Sequence, residues 1–174
     1  MVVTDQPVLL TTRTGFRVLV RPAGEADEAA LAGLFEHVTA EDLRFRFLSS
    51  VRQVLHDQLV AMTKIDHRQT ENFLAFTDDG AVLVATAMLA CDPNMRRAEV
   101  AVAIHSAYKG RGLGWELLRH VADAAKARGI ATIESIESRS NRSAIEVEKV
   151  LGFVAHMVVD DATVVRLSKT LSTP

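Results

Sequence analysis

The chain reads as a mixed α+β protein: a central sheet, antiparallel at first, flanked by helices and carrying at least one parallel crossover. Three observations predict this. Short apolar runs bounded by turn residues alternate with longer runs of helical period. The first strands are joined by tight turns. Later, an apolar strand, a glycine-rich turn and an amphipathic helix follow one another directly.

In chain order, Val8 to Leu10 and Phe16 to Arg21 are short strands around the turn Arg13-Thr14-Gly15, and Pro22 ends the second. Glu25 to Val38 is a helix with Ala30, Leu31, Leu34, Phe35 and Val38 on one face. Thr39-Ala40-Glu41-Asp42 breaks it. Val51, Val54, Leu55, Leu59 and Met62 recur at helical spacing, which predicts a second helix from about Ser50 to Met62. Phe73 to Phe76 is a strand, Asp78-Asp79-Gly80 a tight turn, and Val82 to Ala90 the next strand. The turn Asp92-Pro93-Asn94 leads into a strand from Arg97 to Ile104. The helix from Trp115 to Arg128 buries Leu117, Leu118, Val121, Ala124 and Ala125, and Gly129 caps it. Ile130 to Ile136 is a strand and Arg142 to Val150 a helix stopped by Gly152. Phe153 to Val159 and Thr163 to Ser168 form a last strand pair around Asp160-Asp161.

The 174 residues fit one domain, 1–174, with room for a real core. Hydrophobic residues make up 48% and charged ones 24%, ordinary for a soluble globular protein. A net charge of −2 carries no electrostatic footprint for nucleic acid. No apolar run approaches the length of a membrane span, and no signal peptide is evident. Cys91 is the only cysteine, fits a reducing cytoplasm, and reads as a small core residue rather than a reactive thiol. His56, Asp66 and His67 lack a third donor at metal-ligand spacing, so no metal is expected.

The most informative stretch is Tyr108-Lys109-Gly110-Arg111-Gly112-Leu113-Gly114-Trp115. Glycines let the backbone approach a ligand and take positive φ. The first amides of a helix have no internal partner and meet an anion with the positive end of the helix dipole. Lys109 and Arg111 add charge. A phosphate-bearing ligand fits this turn, although a glycine turn with incidental charge would look the same. It is neither a P-loop nor a dinucleotide fingerprint.

Three features coincide: the strand Ala98-Glu99-Val100-Ala101-Val102-Ala103-Ile104, the basic glycine turn, and a helix opened by Asn141-Arg142-Ser143-Ala144-Ile145 whose chain continues into Leu151-Gly152-Phe153. Together they resemble the GNAT superfamily of N-acetyltransferases, with Lys109 where that family's turn has Gln or Arg. The segment Glu41 to Leu48, the helix after it and Thr63-Lys64-Ile65-Asp66-His67 look like bacterial protein-lysine acetyltransferases, so the likeness covers nearly the whole chain. No regulatory domain of the kind often fused in that branch has room here.

The resemblance implies a GNAT-like fold, mixed and mostly antiparallel, with the parallel crossover at the acyl-CoA site. Acetyl-CoA is the implied cosubstrate. Its pyrophosphate falls to Lys109, Gly110, Arg111, Gly112, Leu113 and Gly114. Its pantetheine arm falls to Val100, Ala101, Val102, Ala103 and Ile104, where the family has a β-bulge that splays two parallel strands. Asn141, Ser143 and Ala144 complete the cofactor set, Asn141 also serving as a helix cap. The acceptor is an amine, with protein lysine leading and a small-molecule amine as rival. A non-catalytic acyl-CoA sensor is the reading from another class. The chain is expected as a monomer or homodimer.

An ammonium cannot attack a thioester, and a lysine near pKa 10.4 is almost wholly protonated at neutral pH, so a base is needed. Glu99 is the candidate: it stands in an apolar strand, where a partly dry site favours a base, and it matches the family's catalytic glutamate. The competing reading is a strand-end carboxylate paired with Arg96 or Arg97. His105 falls on the same strand face by two-residue alternation and could relay a proton, or be a loop-edge histidine. Many family members place a tyrosine acid four residues after the alanine of the Asn-x-x-Ala-Ile motif. Here that residue is Glu148, and no tyrosine acid carries over. Arg44 and Arg46 are candidates for the acceptor cleft, with a purely structural role as the alternative. Phe45 and Phe47 read as core.

Overall fold

The computed structural model describes residues 6–171. One eight-stranded sheet runs through the molecule: β1 (Val8–Thr11), β2 (Arg17–Pro22), β3 (Thr70–Thr77), β4 (Leu83–Cys91), β5 (Arg97–Ile104), β6 (Thr132–Ser138), β7 (Val154–Met157) and β8 (Val164–Thr170). The spatial order is β1-β2-β3-β4-β5-β6-β8-β7. Every neighbouring pair is antiparallel except β5 with β6. The mixed, mostly antiparallel sheet with one parallel crossover is therefore the fold found.

Two clusters of apolar side chains cover its faces. On one face α1 (Glu28–Glu36), α2 (Ala40–Phe47) and α3 (His56–Thr63) pack Leu31, Leu34, Phe35, Leu43, Leu59 and Met62 over Leu74 and Ala103. On the other, α4 (Leu113–Ala127) lays Leu113, Leu117, Leu118, Val121 and Ala125 over Ala98, Val100 and Ile133. The edge of this second layer is α5 (Arg142–Val150). Strand alternation explains the split: Phe73 and Ala75 enter one cluster, Leu74 the other.

The helices correct the sequence reading in three places. The expected helix Glu25–Val38 is a 3-10 turn, Glu25–Asp27, followed by α1. Thr39 does not break a helix but starts one: its hydroxyl accepts the Asp42 amide at 3.1 Å, the geometry of an N-cap, and α2 follows. The expected helix Ser50–Met62 begins only at His56, where the Gln58 side chain accepts the Leu55 amide at 2.9 Å.

Candidate active site

The site originates where two strands part. The β5–β6 ladder holds only Arg97–Thr132, Ala98–Ile133 and Glu99–Glu134. Beyond that point β5 stays with β4 up to Ile104, while β6 stays with β8 up to Ser138. Each strand keeps its antiparallel partner and sheet twist separates them. Residues 100–104 therefore have a strand on one side only. The bulge implied near Val102 and Ile104 is not in the β4–β5 ladder, which runs from Ala85–Ile104 to Cys91–Ala98 without a shift. The shift lies in β3–β4, between Ala75 and Phe76. The split needs only the diverging ladders.

A cleft with a cavity volume of about 370 Å³ fills this split. Its walls are Val100 to Ile104 of β5, Ile136 and Glu137 of β6, and Asn141, Ser143, Ala144, Val147 and Glu148 of α5. The turn before α4 closes one end with Lys109, Gly110, Gly112, Leu113 and Gly114. Fifteen of the expected site residues thus meet around one cavity, Glu99 and Arg46 among them.

The turn has the conformation an anion cradle needs. Gly110 and Gly112 have φ of +75° and +82°, and Gly112 is the N-cap of α4. The hairpin before β2 braces it: Thr14 donates its hydroxyl to the Arg111 carbonyl at 2.8 Å, and a Cβ on Gly112 would stand 3.3 Å from Thr12 Cβ. Lys109 Nζ bonds Asp42 Oδ2 at 2.6 Å, tying the turn to α2. Trp115, on the first turn of α4, has a buried Nε1 without a partner among the described residues. An anion cradle beside an open apolar split fits the pyrophosphate and pantetheine of acetyl-CoA. The turn and the β5 edge would hold it, and the bound thioester would supply the acyl group.

Two expected contributors sit elsewhere. Arg111 does not line the cleft; its guanidinium lies 5.0 Å from the rings of both Phe16 and Tyr108 and donates to the Ala107 carbonyl at 3.4 Å. Flanking aromatics hold it on the outer side of the turn. Arg44 is exposed, faces Glu41 at 3.8 Å and also stays out of the cleft, because helical α2 turns it outward while turning Arg46 inward. Arg46 lies against Met88, its Nη2 3.8 Å from the sulfur, and its buried Nε has no partner among the described residues. Burial lowers its pKa, while Glu99 and Glu137 together hold it up.

Glu99 is the last residue of β5 paired to β6, at the point of the split. It is exposed rather than dry, because the cleft opens there. It makes no hydrogen bond or ion pair among the described residues; Arg97 is engaged with Glu134 at 3.3 Å instead. His105 is not a relay. It follows β5, accepts the Ala107 amide at 3.1 Å and stacks on His37 with ring centroids 4.6 Å apart. Desolvation, then the charge of His37, lowers its pKa. Cys91 is half-buried and burial pushes its thiol up, against a reactive role.

Sequence reasoning missed the dry carboxyls of the site. Glu148 is buried and accepts a hydrogen bond from the Ser135 hydroxyl at 2.6 Å. Glu137, beside it in the cleft wall, accepts from Asn141 Nδ2 at 2.9 Å. Desolvation, then the charge of Glu148, pushes Glu137 up to about 8. Glu148 is raised as well, again chiefly by burial. Two neighbouring carboxyls that burial raises in this way favour keeping a proton between them at neutral pH.

The chain resembles known proteins along most of its length. Residues 37–153 match the model of the acetyltransferase (GNAT) family. An acetyltransferase of Pseudomonas aeruginosa is 30% identical over 151 residues, which is 86% of this chain and 81% of that protein. The crystal structure of the GNAT domain of S. lividans PAT superposes with a TM-score of 0.89 at 24% identity, covering 98% of this chain and all of that one. The structure of yncA from Salmonella typhimurium, solved with its cofactor acetyl-CoA, superposes with a TM-score of 0.70 at 21% identity, over 89% of this chain and 94% of that one. At such identities the two structures speak for the fold, and the family match speaks for acetyl-CoA. The chain belongs to the acetyltransferase (GNAT) family.

Proposed function

We propose that this GNAT acetyltransferase moves the acetyl group of acetyl-CoA to the side-chain amine of a protein lysine, with Glu99 as general base. One observation carries the role of Glu99: an unpaired carboxylate stands at the mouth of the acyl cleft, with its neighbouring arginine already engaged by Glu134. An ammonium arriving there meets a negative group that attracts it and then takes its proton. The β5 edge and the turn fix the thioester, so the amine needs only to enter from the open side.

The protein acceptor is supported by that entry. A lysine side chain is a thin stem carrying a compact charge, and an exposed carboxylate at a cleft mouth suits it. The wall of α2, with Asp42, Phe45 and Arg46, lies on the acceptor side and would set which sequences fit. The lone Cys91 agrees with work in a reducing cytoplasm.

The test is thiol release from acetyl-CoA with a panel of lysine peptides, polyamines and other small amines, followed by mapping of new acetyl-lysines in a lysate. Lysine peptides turn over, and Glu99→Gln lowers kcat by about 10²-fold at neutral pH. Acetylation of free amines with no protein product would overturn the acceptor. Undiminished turnover in Glu99→Gln at every pH would overturn the base.

A further inference from the structure

We propose that the Glu137–Glu148 carboxyl pair is the general acid of this reaction, delivering a proton to the sulfur as the thioester breaks. This rests on the transferase reading above and adds a second catalytic group on the strand facing Glu99 across the split.

The placement comes from three elements. Strand alternation puts Ser135 and Glu137 on the same face of β6, beneath α5. The turn after β6 brings Asn141 back over Glu137. From Asn141, two helical turns carry Glu148 to the same side, so Ala144, Val147 and Glu148 all line the cleft. Ser135 and Asn141 each give one hydrogen bond to the pair, at 2.6 and 2.9 Å.

A purely structural pair would be an expensive choice. Two carboxyls of like charge gain nothing from each other unless a proton sits between them. The cation nearby, Arg46 of α2, forms no hydrogen bond to either and is shared with Glu99. From β8 the residue opposite Glu137 is Val165, and α4 contributes Trp115 and Leu118 to the cleft. The proton therefore lies in a mainly apolar wall that opens into the acyl cavity.

The chemistry balances. The ammonium first gives one proton to Glu99, which passes it to solvent; the neutral amine nitrogen then bonds to the acyl carbon and gives a second proton to Glu99. The carbon–sulfur bond breaks with its electron pair on sulfur, and a proton from the carboxyl pair moves there to give the thiol. The pair is left more negative, faced by Arg46, and recovers a proton from solvent through the emptied cleft. Glu99 returns this second proton to solvent as well, so two protons leave through Glu99 and one enters at the pair, the net release being the proton that the ammonium brought. A donor at about 8 is well matched to a thiol of about 8.5.

Two measurements test this. The first is a carboxyl-carbon NMR titration of glutamate-labelled protein, which needs no turnover. A glutamate signal titrates near pH 8 in the wild type and is missing in Glu137→Gln, whose amide keeps the carboxyl's shape and the fold. The second is the pH–rate profile. Wild-type kcat falls on the alkaline side as the pair loses its proton. Glu137→Gln and Glu148→Gln each lose about 10²-fold in kcat and lose that limb, while acetyl-CoA affinity by calorimetry stays put. An active wild type whose Glu137→Gln variant keeps both its kcat and its alkaline limb overturns the acid, as does the absence of any glutamate titrating above neutrality. A wild type that releases no CoA with any acceptor defeats the transferase reading first, and the acid role falls with it.

Discussion

The Asn141 side chain donates to Glu137 Oε2 at 2.9 Å and makes no capping bond to its own helix. It occupies the N-cap position of α5 as the sequence predicts, but its amide serves the carboxyl pair. Asn141→Ala should therefore cost the helix little and Glu137 much. The bond stabilises the ionised carboxylate, so its loss moves the Glu137 titration upward from about 8. The alkaline limb of kcat moves with it, read from the pH–rate profile, while melting at pH 6 stays within about 0.5 kcal/mol of wild type.

Glu137 also leaves a mark on stability. Its folded pKa of about 8 lies above the roughly 4.3 of an unfolded glutamate. The folded state thus holds a proton that the unfolded chain has lost, and stability declines as pH rises from about 4.5 through 8. Glu137→Gln has no proton to lose. Urea unfolding should show the variant gaining on wild type across that window, by an amount on the order of a few kcal/mol, with no further gain above it. A difference that stays constant with pH would contradict the raised pKa.

Why this pair was not legible in the sequence follows from β6 itself. Thr132 to Ser138 reads Thr-Ile-Glu-Ser-Ile-Glu-Ser, with two glutamates of equal local standing. Glu134 points to the face where Arg97 meets it; Glu137 points under α5. Only the packing of α5, which brings Glu148 back from eleven residues on, decides which of the two is dry. The same holds for α2, whose apolar residues Leu43, Phe45 and Phe47 alternate like a strand and hide a helix that Thr39 caps. The turn and the β5 strand, by contrast, are local: glycine φ and strand alternation suffice, and nearly every cofactor residue named from the sequence lines the cleft.

The glycines of the turn are not equivalent. Gly112→Ala forces an L residue to φ of +82° and drives its Cβ to 3.3 Å from Thr12. Strain of about 1–2 kcal/mol and a displaced hairpin should weaken acetyl-CoA binding. Gly110→Ala meets the same backbone cost at φ of +75° but open space. Gly114 is helical, and a Cβ there makes an ordinary 3.6 Å contact with Ile104 Cδ1. Thermal melting should rank the variants Gly112→Ala below Gly110→Ala below Gly114→Ala. Calorimetry with CoA reads the binding.

Arg44 and Arg46 should part in mutagenesis although only Phe45 separates them. Arg44→Ala removes an exposed contact with Glu41 and changes stability by less than about 0.5 kcal/mol. Arg46→Met removes the cation that favours ionisation of Glu137. The Glu137 titration then moves up, and kcat falls as the pair recovers from each turnover without its counter-charge. Equal profiles for the two variants would show that Arg46 acts only as packing.

The end of α4 is held by a second buried acid. Glu71 of β3 is fully buried. One oxygen accepts Arg128 Nη2 at 3.0 Å; the other accepts the Asn72 amide at 3.1 Å and lies 3.0 Å from His67 Nδ1. Arg128 is the C-cap of α4, so this contact ties the far end of the cofactor helix to the sheet. Removing one partner strands the other in a dry site: Glu71→Ala or Arg128→Ala should each cost about 3–5 kcal/mol in urea unfolding. Replacing both with apolar residues of similar size, Glu71→Leu with Arg128→Met, should recover much of that loss, because the desolvation cost disappears with the charges. A double variant as unstable as the sum of the singles would mean that the pair holds α4 by geometry that apolar contact does not replace.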